Sequence, residues 1–161
     1  MLSFEELYVS YSPDVYRFAN WLSGNANDAE DITAETFVRA WMNFAAIKTE
    51  TLKAYLFTIA RNIYLESLRK RQDHQVLEDV HPDPNPSIEM VLEIQSDLDQ
   101  IRATLITMPE IDRSTFVMRV QYDLSYAEIA RVLQISEGAA KVKVHRVRKL
   151  LFNIHSKKET P

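Results

Sequence analysis

Apolar residues recur at three- and four-residue spacing along most of this chain, and that period predicts helices rather than strands. In the first half it marks Ser3–Tyr11, Pro13–Ser23, Asp28–Phe44 and Leu52–Arg71. In the second half it marks Ile88–Thr107, Glu110–Val120, Tyr126–Leu133 and Glu137–Ile154. Only Gly24 and Gly138 are available for tight hairpin turns, which again favours helices. Asn27 is expected to cap the third helix, with Glu30 reaching back in a capping box. Ser87, Ser125 and Ser136 stand at other expected N-caps. The period fails over "RQDHQVLEDVHPDPNPS", residues 71–87, where three prolines fall within five residues. Proline fixes its own φ and pushes the preceding residue out of the helical region, so this stretch reads as a linker. The expected fold class is all-α: two small helical domains, 1–72 and 96–161, joined by a flexible, acidic, proline-containing linker at 73–95. Each unit has a size at which a core is marginal, so mutual docking or a large partner would complete both.

Composition narrows the chemistry. The chain has 161 residues, 46% of them hydrophobic, enough to form real cores. It has no cysteine, which removes disulfides and thiolate metal sites. The four histidines, His74, His81, His145 and His155, lack paired ligand spacing. No nucleophile motif, carboxylate pair or glycine-rich phosphate loop is present, so neither catalytic residues nor cofactors are expected. The N-terminus lacks a basic leader, and no apolar run approaches the roughly 20 residues that span a bilayer. A cytoplasmic chain without membrane insertion is expected.

Charge changes the picture more than composition does. The formal net charge is -4, but it is distributed in alternating blocks. Residues 1–40 carry -5, residues 41–72 carry +4, residues 73–112 carry -9, and residues 113–161 carry +6. A single charged block is usually a solvated face. Two basic blocks, each on a predicted helix, point instead to nucleic acid.

The stretch "YAEIARVLQISEGAAKVKVHRVRKL" gives that partner a geometry. Ile129, Ala130 and Leu133 form one apolar face, Ile135 fills a turn and Ser136 caps the next helix. Ala140, Val144, Val147 and Leu151 then recur as one buried stripe. Lys141, Lys143, His145, Arg146, Arg148 and Lys149 are left for the other faces. The layout is helix-turn-helix, with the second helix suited to the major groove. Gln134 occupies a turn position where glycine is easiest, and a left-handed φ is expected there.

In "DAEDITAETFVRAWMNF", Ala29, Ile32, Phe37, Trp41 and Phe44 are expected in the core. Asp28, Asp31, Glu35 and Arg39 line the other side. That acidic face repels phosphate, so its function, if any, is contact with protein. The next helix, "LKAYLFTIARNIYLESLRKR", is expected to bury Leu56, Ile59, Ala60 and Ile63. It is expected to expose Arg61 and Asn62 and to end on Arg69, Lys70 and Arg71. Those last three also suit the negative end of a helix dipole.

Taken in order, "DAEDITAETFVRAW", "AYLFTIARN", the basic tail, the acidic linker and "LSYAEIARVLQIS" resemble the extracytoplasmic-function sigma factors of bacterial RNA polymerase. The resemblance spans nearly the whole chain. It implies a sigma-2 domain at 1–72 and a sigma-4 helix-turn-helix domain at 96–161. It implies that Asp31 and Glu35, with their neighbours Val38 and Arg39, dock on core polymerase. It places Arg61, Asn62, Arg69, Lys70 and Arg71 on the melted -10 element. It places Ser136, Lys141, Val142, Lys143, His145, Arg146 and Lys149 of the helix-turn-helix on the duplex -35 element. There the familiar "GTVKSRLHRAR" becomes "GAAKVKVHRVR", and Val142 replaces a serine that would give a polar contact. Ala34 likewise stands where the family commonly has glutamine, and Glu66 where it has aspartate. Control by an anti-sigma factor, commonly membrane-tethered, is implied as well. The rival readings are a stand-alone helix-turn-helix regulator and a helical protein whose basic faces bind an acidic partner.

Overall fold

A computed structural model describes residues 2–47, 51–75 and 97–159. The expected linker core, the Ser87 cap, the start of the Ile88–Thr107 helix and residues 48–50 lie outside the described residues. Among those described there are seven α-helices and one short 3-10 turn. They are α1 (Phe4–Ser23), α2 (Ala26–Met42), the turn Phe44–Ala46, α3 (Leu52–Gln75), α4 (Asp97–Thr107), α5 (Glu110–Val120), α6 (Tyr126–Leu133) and α7 (Glu137–Glu159).

The first two predicted helices are one. α1 starts on a capping box in which the Ser3 hydroxyl accepts the Glu6 N–H and the Glu6 carboxylate accepts the Ser3 N–H. It then runs through Pro13. The missing proline N–H leaves only the carbonyl of Val9 without its helical donor, and Val9 is exposed, so water can satisfy it. Gly24 ends the helix at φ 67°, its N–H bonding to the Asn20 carbonyl. One residue on, Asn25 caps α2 by accepting the N–H groups of Asn27 and Asp28. The cap therefore falls two residues before the expected Asn27, and Glu30 closes no capping box. Asparagine at 25 succeeds because the glycine reversal leaves it extended, at φ -143°.

α1, α2 and α3 pack as a three-helix unit around Leu7, Val15, Phe18, Ile32, Phe37, Leu56 and Phe57. Thr33 and Thr36 are buried in α2 and satisfy their hydroxyls on the carbonyls of Ala29 and Ile32. Ile59 and Ile63 of α3 are only partly buried. α4 to α7 form the second unit, around Met118, Ile129, Leu133, Ala140 and Val144. α5, α6 and α7 start where the sequence pattern places them, and α7 continues beyond Ile154. The units are packed against each other, α6 on α3 and α5 on α1, with a continuous buried cluster running through both. Mutual docking thus supplies part of what each small core lacks.

Candidate polymerase-docking face and nucleic-acid interface

The helix-turn-helix is built by local chemistry. Ser125 accepts the Glu128 N–H at 3.1 Å to start α6, and Ser136 accepts the Ala139 N–H at 3.0 Å to start α7. Between them Gln134 takes the left-handed conformation, φ 56° and ψ 47°, and turns the chain. Ala140, Val144 and Val147 are buried against the rest of the unit, with Leu151 half-buried. That register turns Lys141, Val142, His145, Arg146, Arg148 and Lys149 to solvent on α7. Ser136 is exposed at the same end. Lys143 behaves differently: its ammonium sits 2.8 Å from the Asp112 carboxylate of α5 and is three-quarters covered.

Two contributors to this surface were missed by the sequence reading. The Arg119 guanidinium lies 4.5 Å from the Tyr126 ring centre and the Lys141 ammonium 5.7 Å from it. Arg119 also donates to the Leu124 carbonyl. The ring therefore holds one cation from α5 and one from α7 beside the turn. A serine followed by an aromatic at a helix start was visible in the sequence; the folding back of Arg119 was not.

On α3, Asn62, Arg69, Lys70 and Arg71 are exposed. Arg71 reaches the Asp28 carboxylate at 2.7 Å on the surface, where water and salt make such a pair easy to release. Arg61 departs from expectation. Its side chain retains 13% exposure, and its Nε donates to both Glu110 oxygens, at 2.9 and 3.2 Å. The cause is the docking of α5, which places a carboxylate over a guanidinium that the helical period alone turns outward.

On α2, Asp31, Glu35 and Val38 are exposed and Arg39 is half-buried. Arg39 lies between Glu35 at 3.1 Å and Glu66 of α3 at 3.0 Å. Its hydrogen bond to Glu66, then that to Glu35, raises its pKa above the ordinary arginine value. The same bond to Arg39 holds the Glu66 carboxyl below the usual carboxylate range. Trp41, expected in the core, is 61% exposed, and Met42 beside it is 80% exposed. Trp41 keeps an edge-on contact with Phe4, at 4.8 Å. α2 buries Ala29, Ile32, Thr33, Thr36, Phe37 and Ala40, so in its last turn Ala40 takes the buried side and Trp41 is turned outward. Carboxylates, Val38, Trp41 and Met42 together make a mixed acidic and apolar surface.

Among the described residues no group of acids and histidines is arranged to hold a metal, and no helix is long and apolar enough to cross a membrane.

Known proteins resemble both units. Residues 7–74 match the family Sigma-70 region 2, and residues 98–151 match Sigma-70, region 4. The ECF RNA polymerase sigma factor SigE of Mycolicibacterium smegmatis is 32% identical over 158 residues, covering 94% of this chain and 61% of its own length. SigM of Bacillus subtilis, also an ECF RNA polymerase sigma factor, is 26% identical, with 97% of each chain covered. Among solved structures, the sigma factor RpoE of Bartonella quintana, in complex with the anti-sigma factor NepR, has a TM-score of 0.78. It is 25% identical, with 95% of this chain and 96% of that one covered.

Proposed function

Because this chain belongs to the extracytoplasmic-function sigma factors of bacterial RNA polymerase, we propose that it binds core polymerase and directs initiation at its own set of promoters. The observation that carries the reading is the presence of both sigma-70 regions, in order, within one chain. Sigma factors are initiation factors, and this one works in the cytoplasm, where polymerase and DNA meet.

Each role falls to a surface of fitting chemistry. Asp31, Glu35, Val38 and Arg39, extended by Trp41 and Met42, dock on core polymerase. Exposed carboxylates cannot serve phosphate, whereas a large aromatic within a polar rim is the usual anchor of a protein interface. Arg61, Asn62, Arg69, Lys70 and Arg71 take the melted -10 strand, whose splayed bases and phosphates need a basic, hydrogen-bonding groove. Lys141, Val142, Lys143, His145, Arg146 and Lys149 read duplex -35 DNA from the major groove, with Ser136 at the helix start. The exposure of Val142 supports an apolar contact to a thymine methyl. An anti-sigma partner, soluble or membrane-tethered, controls the chain; the Bartonella relative crystallised with one supports this.

Run-off transcription tests the whole reading. Chain and core polymerase together are expected to initiate at specific sites in a promoter library, and neither alone. Reversing Asp31 and Glu35 to lysine is expected to abolish core binding with helix content unchanged. Normal core binding by that double variant overturns the docking assignment.

A further inference from the structure

Glu110 opens α5, and it is fully engaged: besides Arg61 it accepts the Ser114 hydroxyl at 2.9 Å. With side-chain exposures of 13% and 15%, the Arg61–Glu110 pair lies inside the seam between the two units, not on its rim. Other contacts of different chemistry cross the same seam. Tyr122, from the turn between α5 and α6, stands edge-on to Phe57 at 4.9 Å and to Phe18 at 6.5 Å. Those two rings, from α1 and α3, stack on each other at 4.4 Å. Trp21 donates its indole N–H to the Gln121 side-chain oxygen at 2.9 Å. Arg113, buried in α5, donates to the Leu22 carbonyl at 3.3 Å.

We propose that the chain holds itself closed through this seam, with Glu110 as an internal competitor that occupies the Arg61 guanidinium needed by melted promoter DNA. The proposal rests on the assignment of Arg61 to the -10 strand and names the regulation of that face. A carboxylate and a phosphate each offer the guanidinium fork a pair of oxygens, so one displaces the other. Freeing Arg61 requires α5 to leave α3, and α5 cannot leave without drawing Tyr122 away from Phe18 and Phe57. The latch is therefore tied to opening of the whole seam. The α2 face and the basic side of α7 stay exposed in the closed form. A larger machine can thus grip both units first and pull them apart. A strand that binds only the open form loses apparent affinity in proportion to the closed fraction. The Bartonella relative, solved in complex with its anti-sigma factor, matches this chain with a TM-score of 0.78 over 95% of its length. A partner of that kind would reinforce a closure already built in.

The absence of cysteine lets two labels be introduced cleanly. Exposed Glu30 and Asn153, one in each unit, become cysteines in the full-length chain, and the distance between labels is read by double electron–electron resonance. The free chain is expected to give one narrow population, and Glu110→Gln to add a longer, broader one. In parallel, binding to a random-sequence single-stranded oligonucleotide is measured at low salt. Glu110→Gln is expected to bind about tenfold tighter. The gain should vanish in the Arg61→Ala, Glu110→Gln double variant. Glu5→Gln, which removes one surface charge far from the seam, should show no gain. An unchanged distance in Glu110→Gln overturns the latch, as does a gain that survives loss of Arg61 or appears equally in Glu5→Gln. Run-off transcription by the unsubstituted chain separates the two ideas. If initiation occurs and the latch readouts fail, only the latch is withdrawn. If initiation fails while both latch readouts hold, the latch stands and the promoter role falls.

Discussion

Gln134 carries the turn between α6 and α7 in a conformation that costs an L-residue roughly 1–2 kcal/mol. Its side chain is exposed, so glycine would relieve strain without opening a cavity. The extra freedom of glycine in the unfolded chain offsets part of that gain. Gln134→Gly is therefore expected to stabilise the protein by about 0.5–1 kcal/mol, read as a rise in the urea midpoint at unchanged slope. On the adjoining helix, Lys141 and Arg146 face solvent and have no structural duty that alanine would break beyond the weak Lys141–Tyr126 contact. Changing either to alanine is expected to leave folding nearly intact and weaken duplex -35 binding by about 1–3 kcal/mol where it meets a base edge. Equal affinity and an unchanged salt slope for both variants would remove α7 from the interface. Trp41 invites a similar separation of folding from binding. Trp41→Ala should cost about 1 kcal/mol of stability through the lost Phe4 edge contact but at least about 2 kcal/mol of core-polymerase affinity. A loss confined to stability would return Trp41 to a purely structural role.

Between α2 and α3 the polar clip Glu35–Arg39–Glu66 does at the surface what apolar packing does inside. Its pH behaviour follows from the direction of the Glu66 shift. A carboxyl whose folded pKa lies below its unfolded value adds stability above the unfolded pKa. That contribution is lost as pH falls through the folded pKa. With 42% of the Glu66 side chain exposed, screening keeps the effect small. Urea melts of the native chain and of Glu66→Gln should therefore differ slightly near neutral pH and converge on acidification below about pH 4. Parallel curves down to pH 3 would show that the clip contributes nothing. This scale is also where sequence was most informative. α5 begins at Glu110 where apolar period puts it, and α6 and α7 begin where period and serine caps together put them, because those are forces among near neighbours in the chain. Pro13 misled, since loss of one helical hydrogen bond beside an exposed carbonyl is too small a penalty to divide α1. Trp41 misled because period assigns a face but not how far the core extends along it. The Arg61–Glu110 pair spans 49 residues of sequence, and no local pattern encodes a contact that depends on how two domains meet.

For the whole molecule, the consequence is that two sequence-defined domains share one buried cluster, and Tyr122 is a ring that joins them at its centre. Its ring is 6% exposed, and burial raises the pKa of its hydroxyl well above the ordinary tyrosine value. A plug of this kind should make the two units unfold together. Coincident transitions from different probes are the mark of one cooperative unit. Trp21 is a local probe of the seam, where it lies against Gln121 and Arg102, whereas Trp41 lies on the outer face of α2. With Trp41 replaced by phenylalanine, fluorescence reports the surroundings of Trp21 alone, and far-UV circular dichroism reports the helices. In that background the two curves are expected to coincide in urea. Tyr122→Ala removes the ring that meets Phe18 and Phe57, at a cost of about 3–5 kcal/mol if the seam stays shut around the hole. Opening the seam avoids part of that cost, since water can enter where the ring was. Trp21 emission should therefore change at lower urea than helix content does, with the helices melting later in two less cooperative steps. Coincident curves in Tyr122→Ala would mean that the remaining contacts, Arg113 to Leu22 and Arg61 to Glu110 among them, hold the units together without the plug.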